Sequence, residues 1–124
     1  METPSDTKVL LVDDEKEFVD ALAMRLKLRK FNVSVAYNGL DAINSVEQLK
    51  PDIVVLDMKM PLMNGIEVLR RLKISMPTLP VIILSGYSNE ADIKEAQAVG
   101  ISDILGKPPE IAQLINSILK ALGR

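Results

Sequence analysis

Three continuous apolar runs, Val9-Leu10-Leu11-Val12, Ile53-Val54-Val55-Leu56 and Val81-Ile82-Ile83-Leu84, stand out along the chain. Short runs of this kind, bounded by turn formers, read as strands buried on both faces. Asn32-Val33-Ser34-Val35-Ala36 is a fourth, more mixed strand, and Ile101-Ser102-Asp103-Ile104-Leu105 a fifth, interrupted by Ser102 and Asp103. The stretches between them show helical spacing. Residues 15–29 place Phe18, Ala21, Leu22, Arg25 and Leu26 on one face, with Val19, Met24 and Leu28 off that stripe. Asn38-Gly39 is a turn that can open a helix over 40–49, with Ala42, Ile43, Val46 and Leu49 inward. Ile66, Leu69 and Leu72 mark a helix over 65–74. Ser88-Asn89-Glu90 opens another, which runs to Val99 and is closed by Gly100. Ile111, Leu114, Ile115, Ile118 and Leu122 define a last helix over 110–122.

Five strands alternating with five helices through short connections predict an α/β domain with a parallel, doubly wound sheet and right-handed crossovers. The 124 residues suffice for one domain with a real core. Residues 1–7 read as a disordered arm, residues 8–122 as the domain, and 123–124 as its end. A net charge of −2 gives no basic footprint, which argues against direct nucleic-acid binding. With no cysteine and no histidine, thiol chemistry and the commonest proton shuttle and transition-metal ligand are excluded. No apolar run approaches a membrane span, and the polar start is no secretory signal, so a cytoplasmic protein is expected.

The chemistry gathers at strand ends. Asp13 and Asp14 follow the first strand, Asp57 ends the third, Ser85 the fourth, and Lys107 follows the fifth. In a parallel sheet these ends form one crevice. Converging carboxylates repel, and a bound cation or the Lys107 ammonium would relieve them. A set of oxygen ligands suits a hard ion such as Mg²⁺. Asp57 could then serve as a nucleophile toward a phosphoryl group. Lys107 would neutralise its oxygens, the Ser85 hydroxyl would donate to one of them, and Gly86 would leave room for close approach. Taken singly, Asp13 and Asp14 equally suit a helix N-cap, Asp57 a turn, Ser85 a turn, Lys107 a solvated surface, and Met58, Met60 and Met63 plain packing.

Four segments in order, Val9 to Glu15, Asp57 to Gly65, Pro80 to Gly86 and Lys107-Pro108, resemble the receiver domain of two-component response regulators. The resemblance implies a flavodoxin-like fold with strand order 2-1-3-4-5. It implies that Asp57 accepts a phosphoryl group from a histidine kinase or a histidine phosphotransfer protein, which supplies the histidine this chain lacks. Asp14, Asp57 and the Lys59 backbone carbonyl would bind Mg²⁺, and Asp13 would act through a coordinated water. Lys107 would pair with Asp57, the Lys107–Pro108 bond would be cis, and Ser85 would fill the Ser/Thr switch position.

Some positions depart from the family pattern. Ile104 stands where an aromatic residue often turns inward on phosphorylation. Lys59 and Tyr87 would flank the site mouth, with Tyr87 shielding the phosphoryl group. Pro109 stands where phenylalanine is frequent. Phe18 and Ala21 on the first helix, with Pro108 and Pro109, form the expected kinase-docking surface, although Phe18 also fits plain core packing. The output is either a downstream protein or a fused domain, with a phosphorylation-dependent homodimer as one form of readout through residues 90–122. A phosphate-independent scaffold is the alternative; it predicts loss of Asp14, Asp57 or Lys107, all of which are present. A flavin protein would want a Ser/Thr/Gly-rich loop where Asp13-Asp14-Glu15 stands. A haloacid-type phosphatase would want a carboxylate where Lys59 stands.

Overall fold

The computed structural model describes residues 6–86 and 90–124. Along the chain run β1 (Lys8–Val12), α1 (Lys16–Leu28), β2 (Asn32–Ala36), α2 (Gly39–Leu49), β3 (Ile53–Asp57), α3 (Gly65–Ser75), β4 (Val81–Ser85), α4 (Glu90–Val99), β5 (Asp103–Gly106) and α5 (Ile111–Ala121). The strands form one parallel sheet in the order β2-β1-β3-β4-β5. This is the flavodoxin-like order, in which the winding direction reverses between β1 and β3. The loops leaving those two strands turn to opposite faces and open a crevice between them.

Alternation along the strands splits the core in two. Leu10, Val12, Val54, Leu56, Val81 and Ile83 pack with residues of α2, α3 and α4. Val9, Leu11, Ile53, Val55, Ile82 and Leu84 pack with residues of α1 and α5. Every residue of β3 is buried, Asp57 included. Each of its aliphatic side chains contributes about 2 kcal/mol on burial, which offsets the cost of holding a carboxylate at the strand's end.

The inward face of α1 is rotated from the stripe centred on Phe18. Val19, Leu22, Ala23 and Leu26 are its buried residues. Phe18 is half-buried, Ala21 and Arg25 are exposed, and Met24 and Leu28 are 66% and 76% exposed. The small Ala23 side chain lets the helix sit close against the sheet. Leu49, expected inward, is 45% exposed at the last turn of α2. The fifth strand starts later than the apolar pattern suggests. Asp103 is its first residue, and its carboxylate accepts hydrogen bonds from the Ile104 N–H at 2.8 Å and the buried Ser117 hydroxyl at 2.7 Å. That satisfied carboxylate is how a polar residue enters the sheet. Thr7, read as the end of a loose arm, is buried, and its carbonyl accepts from the Asn32 N–H at 3.0 Å.

Asn64 caps α3, its side-chain oxygen accepting from the Glu67 N–H at 3.0 Å. Asn64→Ala is expected to cost about 1 kcal/mol of unfolding free energy, read as a lower urea midpoint with an unchanged denaturant slope. Gly100, at φ +119°, ends α4 in a backbone region that favours glycine.

Candidate functional site

β1 and β3 deliver their acids side by side because the two strands are hydrogen-bonded neighbours, with Val12 paired to Leu56. The ladder extends one residue past β1, the Asp13 N–H donating to the Ala36 carbonyl at 3.1 Å. Asp13 and Asp57 are buried, whereas Asp14 is solvent-accessible. One carboxylate oxygen from each of the three lies within 4.8 Å of the others. Two like charges at that separation repel by roughly 3 kcal/mol at an effective dielectric near 20.

Lys107 follows β5, and its N–H donates to the Ser85 carbonyl at 3.2 Å, so the β4–β5 pairing sets its position. The Lys107–Pro108 peptide is cis. The ammonium lies 2.8 Å from Asp13 Oδ2, 2.6 Å from Glu15 Oε1 and 3.6 Å from Asp57 Oδ2. It also sits 4.9 Å from the centre of the Phe18 ring. Asp57 is therefore the most distant of its three carboxylates.

Burial first, and the Asp13 charge second, push the Asp57 carboxyl up to about 6. Lys107, a hydrogen bond from the Lys59 backbone N–H and the Asp14 charge modify that shift, the first two lowering it and the last raising it. Burial alone would lower the Lys107 ammonium. Hydrogen bonds to Asp13 and Glu15 and the charges of Asp57 and Asp13 outweigh it and hold the pKa above the ordinary lysine value.

The donor set fits a hard divalent cation. All its donors are oxygens, which such ions prefer. Asp13 Oδ2 is buried, with the Lys107 ammonium at 2.8 Å as its charge partner. Its other oxygen accepts from the Glu15 N–H at 2.8 Å, so Asp13 also serves the start of α1.

The remaining sequence candidates fall around this cluster. Ser85 ends β4 one residue beyond Leu84, the partner of Asp57, and is half-buried. Gly86 is exposed, and a Cβ there would meet no atom of the described residues within 4 Å. Among the described residues, no neighbour demands glycine at that position. The Lys59 side chain is exposed. Met58 and Met60 are buried and Met63 is half-buried, so this cluster is packing. Ile104 is half-buried against the α2, α3 and α4 side of the core. Phe18, Ala21, Pro108 and Pro109 line one groove with Leu22 and Arg25. Tyr87 lies outside the described residues. Sequence reading missed Glu15 as a partner of Lys107. Its signal was its place directly after the acid pair, at the N-cap of α1.

The fold and the cluster define a class: a doubly wound α/β domain with an acidic pocket at the ends of β1 and β3 and a lysine after β5. The chain belongs to the response regulator receiver domain family, whose model matches residues 9–119. It is 33% identical over 120 residues to the transcriptional regulatory protein PrrA of Mycobacterium leprae, covering 97% of this chain and 52% of that protein. The PrrA of Mycobacterium tuberculosis is 33% identical over 117 residues, covering 94% of this chain and 50% of that one. The chain thus spans about half the length of these relatives. A response regulator receiver domain from Clostridium thermocellum superposes with a TM-score of 0.90 at 28% identity, covering 95% of both chains. A CheY-like receiver domain protein from Methanospirillum hungatei superposes at 0.91 over 94% of both chains; at 22% identity it speaks for the fold alone. Among the described residues no helix is long and apolar enough to cross a membrane.

Proposed function

We propose that this receiver domain accepts a phosphoryl group on Asp57 from a partner phosphohistidine. The observation that carries the reading is the grouping of Asp13, Asp14 and Asp57 within 4.8 Å, with the Lys107 ammonium beside them.

An Asp57 carboxylate oxygen attacks phosphorus. The O–P bond forms as the N–P bond of the phosphohistidine breaks, and the released imidazole nitrogen keeps the electron pair and takes a proton from water. At neutral pH Asp57, with its pKa at about 6, is chiefly the ionised form the attack needs. Its place at the end of a fully buried strand fixes the line of approach. Lys107 moves onto a phosphoryl oxygen and neutralises charge there. The Ser85 hydroxyl donates to a second oxygen from the end of β4. Asp14, Asp57 and the Lys59 carbonyl would hold Mg²⁺, with Asp13 acting through a coordinated water. The ion would supply further neutralisation of the phosphoryl oxygens and of the acid cluster.

A histidine kinase or histidine phosphotransfer protein would dock in the groove beside Phe18, Ala21, Pro108 and Pro109. The readout would pass through Ser85 and the surface over residues 85–122, where Ile104 replaces the usual aromatic residue, to a downstream protein or fused output domain. A cytoplasmic location, consistent with a response regulator receiver domain, would bring Asp57 to such a partner.

Acetyl phosphate with MgCl₂ tests the reading by intact-mass spectrometry, followed by fragmentation to locate the adduct. One phosphoryl adduct on Asp57, lost when the metal is chelated, is expected. An absent adduct, or one on another residue, sinks the assignment; complete absence turns the reading toward a phosphate-independent scaffold.

A further inference from the structure

Building on the aspartyl-phosphate reading, we propose that Glu15 is a positioning residue: it holds the Lys107 ammonium away from Asp57 until a phosphoryl group draws it across.

The ammonium has two stations. In the observed one it lies 2.6 Å from Glu15 and 3.6 Å from Asp57. The Phe18 ring, 4.9 Å away, supports that same station by a cation–π contact. The other station is the phosphoryl oxygens on Asp57. Asp13 also pairs with the ammonium, at 2.8 Å. Asp13 belongs to the three-acid cluster, however, and a cation bound there competes for its charge. Glu15 lies outside that cluster, so its hold on the ammonium persists when a cation is bound.

The strength of the hold suits a latch. The Glu15 side chain is 63% exposed, whereas that of Lys107 is 12% exposed. A pair with one solvated partner is weak and reversible. It biases the ammonium without trapping it. The incoming phosphoryl group, carrying more negative charge than one carboxylate, then wins the ammonium.

The test follows phosphorylation by acetyl phosphate at saturating MgCl₂, with initial rates by intact mass over a range of donor concentrations. Glu17, in the first turn of α1, supplies the control. Glu17→Gln removes the same charge two residues further along, in the first turn of α1, and leaves the Lys107 contacts in place. Glu15→Gln is expected to raise the maximal rate about two- to fivefold, the range an exposed ion pair supports. Glu17→Gln is expected to keep the wild-type maximal rate and alter only the half-saturating donor concentration. Glu15→Asp, which keeps the charge, returns the rate toward wild type. A maximal rate in Glu15→Gln equal to or below wild type, or matched by Glu17→Gln, overturns the latch alone. A wild type that takes no phosphoryl group overturns the aspartyl-phosphate reading and the latch together.

Discussion

Asp57→Asn is expected to take up no phosphoryl group and, in the same molecule, to unfold with about 2 kcal/mol more free energy than wild type at pH 7 in the absence of metal. The gain has the same origin as the chemistry. The folded protein holds this carboxyl at about 6, against 3.8 for the ordinary group, because burial and Asp13 disfavour its charge. The folded state therefore binds that proton more tightly than the unfolded chain does. The penalty is fully present above pH 6, shrinks as the pH falls through 6, and is gone below about 4. Asparagine has no charge to penalise; the attraction to Lys107 that it also forfeits is already contained in that net shift. Denaturation in chelator at pH 7 and pH 4.5 checks this. Wild type should close the gap on the variant at the lower pH; parallel behaviour of the two would remove the argument.

Gly65→Ala has the opposite sign. A Cβ at Gly65 would lie 2.4 Å from the Asp57 carbonyl oxygen and 2.8 Å from the Met58 Cα, both backbone atoms. No rotamer change relieves such a clash. The turn is tight because the Gly65 N–H donates to the Met58 carbonyl at 2.9 Å, folding α3 back over the end of β3. Adding one methyl must shift either the start of α3 or the loop that carries Asp57. A loss of about 3 kcal/mol in unfolding free energy is expected, at the upper end for overpacking. The phosphorylation rate should fall at least tenfold, because a displacement of the nucleophile is amplified in rate. Urea titration and the acetyl phosphate assay read the two effects. An alanine variant with wild-type stability would show that the turn yields more easily than its backbone contacts imply.

Much of this architecture was legible because its strands are so apolar. Three of the four strand runs that read clearly are continuous aliphatic stretches, and each ends at the residue that carries chemistry. The meeting of Asp13, Asp14, Asp57, Ser85 and Lys107 followed from their places at the ends of parallel strands, whereas the order in the sheet came through the family resemblance. The face of α1 was misjudged for a physical reason. Apolar residues ring that helix, and two stripes one position apart both look plausible. Packing against the sheet chose Val19 and Ala23 over Phe18 and Ala21. The start of β5 was obscured by Asp103, whose acceptability depends on Ser117 on a later helix. The Glu15–Lys107 pair joins residues 92 positions apart. No local pattern encodes which of several nearby carboxylates a lysine prefers.

The sheet's two-sided packing makes it a wall between two rooms. Ile104 and Leu105 are neighbours in sequence, yet Ile104 packs on the α2, α3 and α4 side and Leu105 on the α1 and α5 side. One peptide unit separates them, and they belong to different core clusters. Ile104 bears on the α4 room, whereas Phe18 and the groove it lines with Pro108 and Pro109 belong to the other. The Ile104 side chain and the Phe18 groove thus lie on opposite sides of a wall one strand thick. The molecule keeps them apart by the side to which each side chain points rather than by distance.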